Sequence, residues 1–599
     1  MTAPAPPEPL EALTRGLAHH REARWAQAEA CYRSVLDVDP RNADALHLLG
    51  VLAAEAGDHE AALALIGRAI EMIPGAADFH NNLAAVHETR GALEAAEAGF
   101  RRAVALEPHS ADFRNNLGNA LKARGRFDEA VASYEQALRL APEHPQAHNN
   151  LGTALTAQQR FSEAAAHYRR ALVLAPDYVE AHSNLIFALD FDPQASAAVA
   201  FGERRRWNAA HAARHAHTVA PHDNEPTRGR RLRVGYVSAD FRRHSAAAAF
   251  GPVIFEHDRD AFDVVCYSGV SRPDDVTERF REAAGLWRST LGVADETLAA
   301  TIRGDRIDIL VDLSGHSAGN RLGVFARRPA PIQCTGWGHA LGTGLDAIDY
   351  LFADRVAAPP ESRGLFSETV VELPALVCYD PPAVAPDPGP LPAAVRGAVT
   401  FGCFNRPWKV TDNTLTAWAE ILRRIPRARL TLKFSGLEVP AAQRRFVDSL
   451  AAGGVAAERV RFLGGSDHAS HLAAYREVDV ALDPFPHGGG VTALEGLWMG
   501  VPMVTLLGDR IPGRMGASFL TPPGLADWIA TSPDDYVARA VRHAGDLAGL
   551  ARLRAGLRSR LAASPLCDHR AYSRAVENAY REMWDRWCAS RPWERPTGR

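Results

Sequence analysis

The sequence predicts a chain of two classes, an all-α repeat array followed by two doubly wound α/β domains. Three observations carry this. Prolines 40, 74, 108, 142 and 176 recur every 34 residues through the first third, the period of a stacked helical repeat. From residue 231 onward, short apolar runs alternate with helical patterns in two successive cycles, as parallel sheets covered by helices require. The third is the run 483–502, Asp-Pro-Phe-Pro-His-Gly-Gly-Gly-Val-Thr-Ala-Leu-Glu-Gly-Leu-Trp-Met-Gly-Val-Pro, which leaves a strand and passes through three glycines into a helix near Val491. A helix start reached through residues without side chains offers bare N–H groups to a phosphate. Glu495, one turn further on, is placed to meet the hydroxyls of an attached ribose.

Composition narrows the classes. A chain of 599 residues with 47% hydrophobic content forms several domains with real cores. A net charge of -4 gives no broad electrostatic reason to bind nucleic acid or an anionic membrane. The seven cysteines (31, 266, 334, 378, 403, 567 and 588) are scattered without a C-x-x-C pair, which argues against a disulfide framework or a zinc site and fits a reducing cytoplasm. Residues 1–10 lack a basic patch followed by an apolar core, so no secretory signal is expected. No run approaches the roughly 20 apolar residues of a membrane span. A cytoplasmic protein is expected.

Within the array, Ala28, Ala62, Ala96, Ala130 and Ala164 share one repeat position, and Tyr32, Ile66, Phe100, Tyr134 and Tyr168 share another four residues later. A small and a large residue on one helical face let paired helices approach and stack. With the pairs Leu49-Gly50, Leu117-Gly118 and Leu151-Gly152, the pattern resembles the tetratricopeptide repeat. Five full repeats and a partial sixth are expected over 9–190, after a disordered segment 1–8. Asn82, Asn116, Asn150 and Asn184 fall at one repeat position, and Asn81, Asn115 and Asn149 precede three of them. Asparagine inside a helix costs about 0.5 kcal/mol relative to alanine, so the repetition asks for a reason. A ladder of amides along one face can donate to and accept from a peptide backbone irrespective of its side chains. These four residues are therefore the candidate acceptor-binding set. A homodimer through the repeats is left open.

A helical linker is expected over 191–230; its His211, His215 and His217 read as a solvated helix face. The first α/β lobe, 231–385, begins with the strand at 231–240, followed by a strand at 262–267, helices near 276–288 and 295–303, and a strand at 307–312. The second lobe, 386–560, has expected strands at 399–404, 429–433, 460–463, 478–482 and 502–506. Residues 561–599 read as a C-terminal helix whose Tyr580, Met583 and Trp584 share one face, packing back on the first lobe. Two such lobes leave a cleft between the carboxyl ends of their sheets, where ligands of doubly wound sheets bind.

The segments 231–244 (Arg-Leu-Arg-Val-Gly-Tyr-Val-Ser-Ala-Asp-Phe-Arg-Arg-His), 308–316 (Asp-Ile-Leu-Val-Asp-Leu-Ser-Gly-His) and 328–333 (Arg-Pro-Ala-Pro-Ile-Gln), with Phe404, Asn405, Lys409 and the glycine-rich run, resemble a bacterial member of the O-linked N-acetylglucosamine transferase family. That family joins tetratricopeptide repeats to a GT-B fold of two Rossmann-like domains. The resemblance implies that His244 lies near the reacting centre as base or positioner and that Lys409 grips the donor diphosphate. It further implies that Asn405, Arg406, His471, Gly489, Gly490, Val491, Thr492 and Glu495 line the nucleotide-sugar site. The implied reaction moves N-acetylglucosamine from UDP-N-acetylglucosamine to serine or threonine of a protein held along the repeats. The implied outcome is inversion, without cofactor or metal.

The chemistry asks for the same residue types: a cation and helix-start N–H groups meet the charge growing on a leaving diphosphate, and a weakly nucleophilic hydroxyl needs a base. The chain departs from the family at 336–343 (Gly-Trp-Gly-His-Ala-Leu-Gly-Thr), at 245–249 (Ser-Ala-Ala-Ala-Ala) and at Gly490-Val491-Thr492. Two alternatives follow: a flagellin glycosyltransferase using another donor such as a CMP-nonulosonic acid, and a catalytically silent repeat scaffold that binds proteins.

Overall fold

The structure, a computed structural model, describes residues 9–338, 341–382 and 384–590. The expected disordered segment 1–8, residues 339–340 of the departing stretch and the end of the expected C-terminal helix, 591–599, lie outside the described residues. The chain divides into two units, Met1–Ala181 and His182–Arg599.

In the first unit the described helices form five consecutive pairs: Pro9–Arg21 with Trp25–Val38, Ala43–Glu55 with His59–Met72, Ala77–Thr89 with Leu93–Leu106, Ala111–Ala123 with Phe127–Leu140, and Pro145–Ala157 with Phe161–Leu174. The repeated alanines are completely buried, and so, to within 2% exposure, are Tyr32, Ile66, Phe100, Tyr134 and Tyr168. The Leu-Gly pairs have a steric cause. A Cβ on Gly118 would lie 2.5 Å from the Tyr134 ring, and one on Gly152 would lie 2.7 Å from Tyr168. The third repeat carries Ala84 at this position and moves the missing side chain to the second helix, where a Cβ on Gly99 would sit 2.8 Å from the Ala84 Cβ. Close helix approach is kept by a different residue.

The second unit opens inside the helix Val179–Phe191, followed by Ala197–Trp207, a π turn Asn208–Ala212 and a 3-10 turn Ala213–Thr218. The reading of the linker histidines needs correction at His211. It is buried, its Nε2 2.9 Å from His182 Nδ1, because the π turn inserts an extra residue and rotates this position inward. His217 is exposed.

Thirteen strands build two parallel sheets among the described residues. In the first lobe these are β1 (Leu232–Ser238), β2 (Phe262–Ser268), β3 (Leu286–Ser289), β4 (Ile309–Asp312), β5 (Ile332–Thr335), β6 (Tyr350–Ala353) and β7 (Thr369–Glu372), in the order β3-β2-β1-β4-β5-β6-β7. In the second they are β8 (Thr400–Cys403), β9 (Arg429–Lys433), β10 (Val460–Leu463), β11 (Val480–Leu482), β12 (Met503–Leu506) and β13 (Ile529–Ala530), in the order β10-β9-β8-β11-β12-β13.

The helix expected at 276–288 stops at Ala283, and β3 takes its last residues. The sequence reading did not find β3, β5, β6, β7 or β13. Each has two to four residues, too few to display a period; β4, β8, β10, β11 and β12 are as short and were read from the alternation of apolar runs with helical patterns. The order reverses between β1 and β4 and again between β8 and β11, and such switch points open crevices at the carboxyl ends of the strands.

The C-terminal helix His569–Ala589 lies on the first lobe. Tyr580 Oη is 3.1 Å from Tyr236 Oη, Glu577 Oε1 is 3.0 Å from His257 Nδ1, and Tyr572 Oη accepts from Trp337 Nε1 at 2.9 Å.

Candidate active site

The second switch point collects most of the candidate residues. β8 delivers Asn405, Arg406 and the 3-10 turn Pro407–Lys409; β11 delivers Asp483 and the glycine loop; the helix Val491–Trp498 follows. No side chain caps that helix at Gly490, and Ala493 N–H donates to Gly490 O at 3.0 Å, which leaves the N–H groups of Val491 and Thr492 as the donors a helix start offers.

The loop does not present all its N–H groups. Gly489 N–H donates to Asp483 Oδ1 at 2.7 Å and Gly488 N–H to Pro512 O at 3.1 Å. Gly489 therefore contributes its missing side chain: a Cβ there would lie 3.0 Å from Asn405 Nδ2 and 3.1 Å from the Ala493 Cβ. Asn405 in turn accepts from Thr492 Oγ1 at 3.2 Å.

Lys409 Nζ donates to Gly488 O at 2.7 Å, tying the β8 turn to the glycine loop. Burial lowers its pKa to about 8, with Asp483 opposing the shift and Arg406 adding to it. The ammonium is thus charged at neutral pH and weakly hydrated, the state in which it binds an oxyanion strongly. Asp483 organises this corner. It is buried, and its Oδ2 accepts from Thr505 Oγ1 at 2.7 Å. Burial pushes its pKa to about 6 against the pull of Gly489 N–H, Thr505 and Lys409. The sequence reading placed Asp483 at the start of the run but assigned it no role.

Glu495 sits one turn into the helix, buried, and meets two histidines. His468 Nε2 is 2.7 Å from Oε1 and His471 Nε2 is 3.3 Å from Oε2. Burial pushes the Glu495 carboxyl up, but the two imidazoles outweigh it and hold it below the usual carboxylate range; the same carboxylate raises the pKa of His468. The His471 ring also stands edge-on to Phe404 at 5.6 Å. His468 was missed, although its i,i+3 spacing from His471 puts both on one face of the helix His468–Ala474.

His244, from the first switch point, starts the helix Ser245–Phe255. Its Nδ1 accepts from Ala246 N–H at 3.3 Å and lies 3.5 Å from Asp240 Oδ2. Burial lowers its pKa, Asp240 opposes, and Arg242 and Arg406 lower it further, so the ring is neutral at pH 7. The Arg406 charge lowers the pKa of both His244 and Lys409.

Asp308 and Asp312 have structural partners. Asp308 is clamped by Arg230 Nη1 at 2.7 Å and by Asn224 Nδ2 at 2.8 Å, while Asp312 accepts from Ser314 N, Gly315 N and Thr335 Oγ1.

The asparagines of the first unit form a ladder of their own. Asn116 Nδ2 donates to Asn81 Oδ1 at 3.0 Å and Asn150 Nδ2 to Asn115 Oδ1 at 2.9 Å. Asn82 Nδ2 makes the equivalent bond, 2.9 Å, to Nε2 of His47, which occupies the repeat position of Asn81. Each rung joins neighbouring repeats, which supplies a structural reason for helix-interior asparagine. Asn184 lies half-buried in the helix Val179–Phe191 of the second unit.

The model of glycosyl transferase family 41 matches residues 179–377 and 391–576. The chain belongs to this family. A tetratricopeptide model matches residues 13–76, 56–111 and 115–179, so the family domain and the repeats expected from the sequence are both present. An Oryza sativa subsp. japonica protein described as "Probable UDP-N-acetylglucosamine--peptide N-acetylglucosaminyltransferase SPINDLY" is 40% identical over 373 residues, 61% of this chain and 40% of its own length. An Arabidopsis thaliana protein with the same description but the name SEC is 31% identical over 378 residues, 60% of this chain and 38% of its own. The chain thus matches well under half the length of these plant relatives. Among solved structures, a Thermobaculum terrenum O-GlcNAc transferase mutant is 34% identical with a TM-score of 0.70, covering 98% of this chain and 100% of that one. The parallel two-sheet architecture is that of this relative, which agrees with the fold expected of a GT-B enzyme.

Proposed function

We propose that this family 41 chain transfers N-acetylglucosamine from UDP-N-acetylglucosamine to a serine or threonine hydroxyl of a protein, inverting the anomeric centre. The observation that carries the reading is the corner at the second switch point, where the Lys409 ammonium is tied to Gly488 beside an uncapped helix start. A cation and orphan N–H groups together suit a diphosphate leaving group. The names of the plant and Thermobaculum relatives support the sugar and the acceptor class.

In this reading the acceptor oxygen bonds to the anomeric carbon while the carbon–phosphate-oxygen bond breaks, and UDP departs with its charge met by Lys409 and the N–H groups of Val491 and Thr492. The hydroxyl proton passes to His244 or to an oxygen of the departing diphosphate. Glu495, already held ionised by His468 and His471, takes the ribose hydroxyls. The half-buried amides of Asn82, Asn116 and Asn150 in the repeats retain hydrogen-bonding capacity for the acceptor backbone. All seven cysteines are free, which fits a cytoplasmic site of action, and no described helix is long and apolar enough to cross a membrane.

Calorimetric titration with UDP and CMP, EDTA present, tests the reading. Micromolar UDP binding that is lost in Lys409→Ala supports it. A preference for CMP moves the donor to a cytidine-activated sugar, and binding of neither removes the transferase reading.

A further inference from the structure

The helix that continues the repeat pattern, Val179–Phe191, ends against the proposed diphosphate site. The Phe191 ring, 9% exposed, stands edge-on to Trp408 with centroids 4.5 Å apart and is tilted against His487 at 4.3 Å. Trp408 and His487 are themselves 5.5 Å apart. Each of these two rings precedes one end of the clasp: Trp408 adjoins Lys409, His487 adjoins Gly488, and Lys409 Nζ bonds Gly488 O. The path Phe191, Trp408, Lys409, Gly488, His487 therefore closes on itself.

A second set of bonds fixes the same helix end. Arg510 Nη1 donates to Leu189 O at 3.2 Å and Asp190 O at 3.5 Å, and its Nη2 donates to Ala195 O. The Asp190 carboxylate, 1% exposed, takes two bonds from Arg204 Nη2 at 2.7 and 2.6 Å. Two residues beyond Arg510, Pro512 O receives Gly488 N–H. The glycine loop is thus held on one side by the Phe191 ring and on the other by the segment that caps Phe191's own helix.

We propose that Phe191 is a positioning residue of the diphosphate site, its ring holding Trp408–Lys409 and His487–Gly488 at the separation that closes the clasp. The proposal rests on the reading of Lys409 as the diphosphate cation, and it ties the grip on donor to the seat of this helix. Phe191 touches neither reacting atom. Its effect falls on donor binding.

The test uses the full chain with Phe191→Ala, Phe191→Leu and Phe191→Tyr. Loss of both ring contacts predicts a UDP Kd and donor KM raised about fivefold or more in Phe191→Ala, with kcat within about twofold. Phe191→Leu, which keeps apolar volume without the ring, lies between, and Phe191→Tyr restores native values. A ligand-free readout runs beside this, the rate of Lys409 acylation by acetic anhydride followed by mass spectrometry. It rises severalfold in Phe191→Ala and Phe191→Leu if the ring holds the clasp shut. Unchanged acylation and unchanged KM in both variants overturn the proposal. Faster acylation in a protein that binds no UDP retains the positioning role and discards the diphosphate reading instead.

Discussion

The two switch points of this molecule use one device for different ends. In the first lobe Asp312 ends β4, is buried, and accepts from Thr335 on β5 and from the backbone of Ser314 and Gly315. In the second, Asp483 follows β11, is buried, and accepts from Thr505 on β12 and from the backbone of Gly489. Burial raises the pKa of both carboxyls. The difference lies in what each turn is held for. Asp312 orders a tight turn into His316, which is buried with Nε2 2.8 Å from Thr343 O. Asp483 orders a glycine loop beside Lys409 that ends in a helix start without a cap. A strand-end carboxylate is therefore scaffold in both lobes, and the cation with its bare helix start is what distinguishes the crevice proposed to hold the diphosphate.

The largest expected effect breaks the second site at its cation. Lys409→Ala lowers the transfer rate by about a hundredfold or more, the scale for removing one preorganised charge donor, with the far-UV dichroism unchanged. A rate within a few-fold of native removes Lys409 from the diphosphate site.

Next is the paired substitution of the two aspartates. Asp483→Asn loosens a charge-assisted bond to the loop and weakens UDP binding about tenfold. Asp312→Asn leaves UDP binding within about twofold and acts on stability, lowering the thermal midpoint by about 2–4 °C. Equal losses of UDP affinity in the two variants would falsify the division of labour drawn above.

A pH series sharpens the same comparison. The Lys409 ammonium, lowered to about 8 by burial, loses its proton as pH rises through that value, so UDP affinity declines above about pH 8. Asp483 raises the Lys409 pKa, so its replacement by Asn moves the onset of that decline to lower pH, whereas Asp312→Asn leaves it in place. Isothermal titration between pH 6 and 9 reads both.

The smallest effect on donor chemistry comes from the ladder. Asn116→Ala with Asn150→Ala raises KM for a protein acceptor severalfold and leaves hydrolysis of the donor unchanged, since neither amide belongs to the nucleotide corner. Loss of thermal stability without a change in acceptor KM would mean that the rungs Asn116 to Asn81 and Asn150 to Asn115 serve only to join repeats.

What was legible in the sequence was whatever neighbours along the chain decide. The repeat period, the alanine and aromatic positions and the strand leading into three glycines depend on local pattern, and helix periodicity and turn chemistry report those directly; Lys409 was named only through the resemblance to the transferase family. A strand of two to four residues shows no period: β4, β8, β10, β11 and β12 were read from apolar runs alternating with helical patterns, and β3, β5, β6, β7 and β13 were not legible. The chemistry of the corner was decided only by tertiary structure. Lys409 and Gly488 are 79 residues apart, His468 and Glu495 27, and Phe191 and Trp408 more than 200. Which N–H groups the loop keeps for itself, which imidazoles hold Glu495 ionised and which ring closes the clasp all depend on distances that exist only after parallel strands have ordered themselves around a switch point. A hydrogen bond needs its partners within about 3 Å, and spacing along the chain cannot encode that when the intervening segments fold independently.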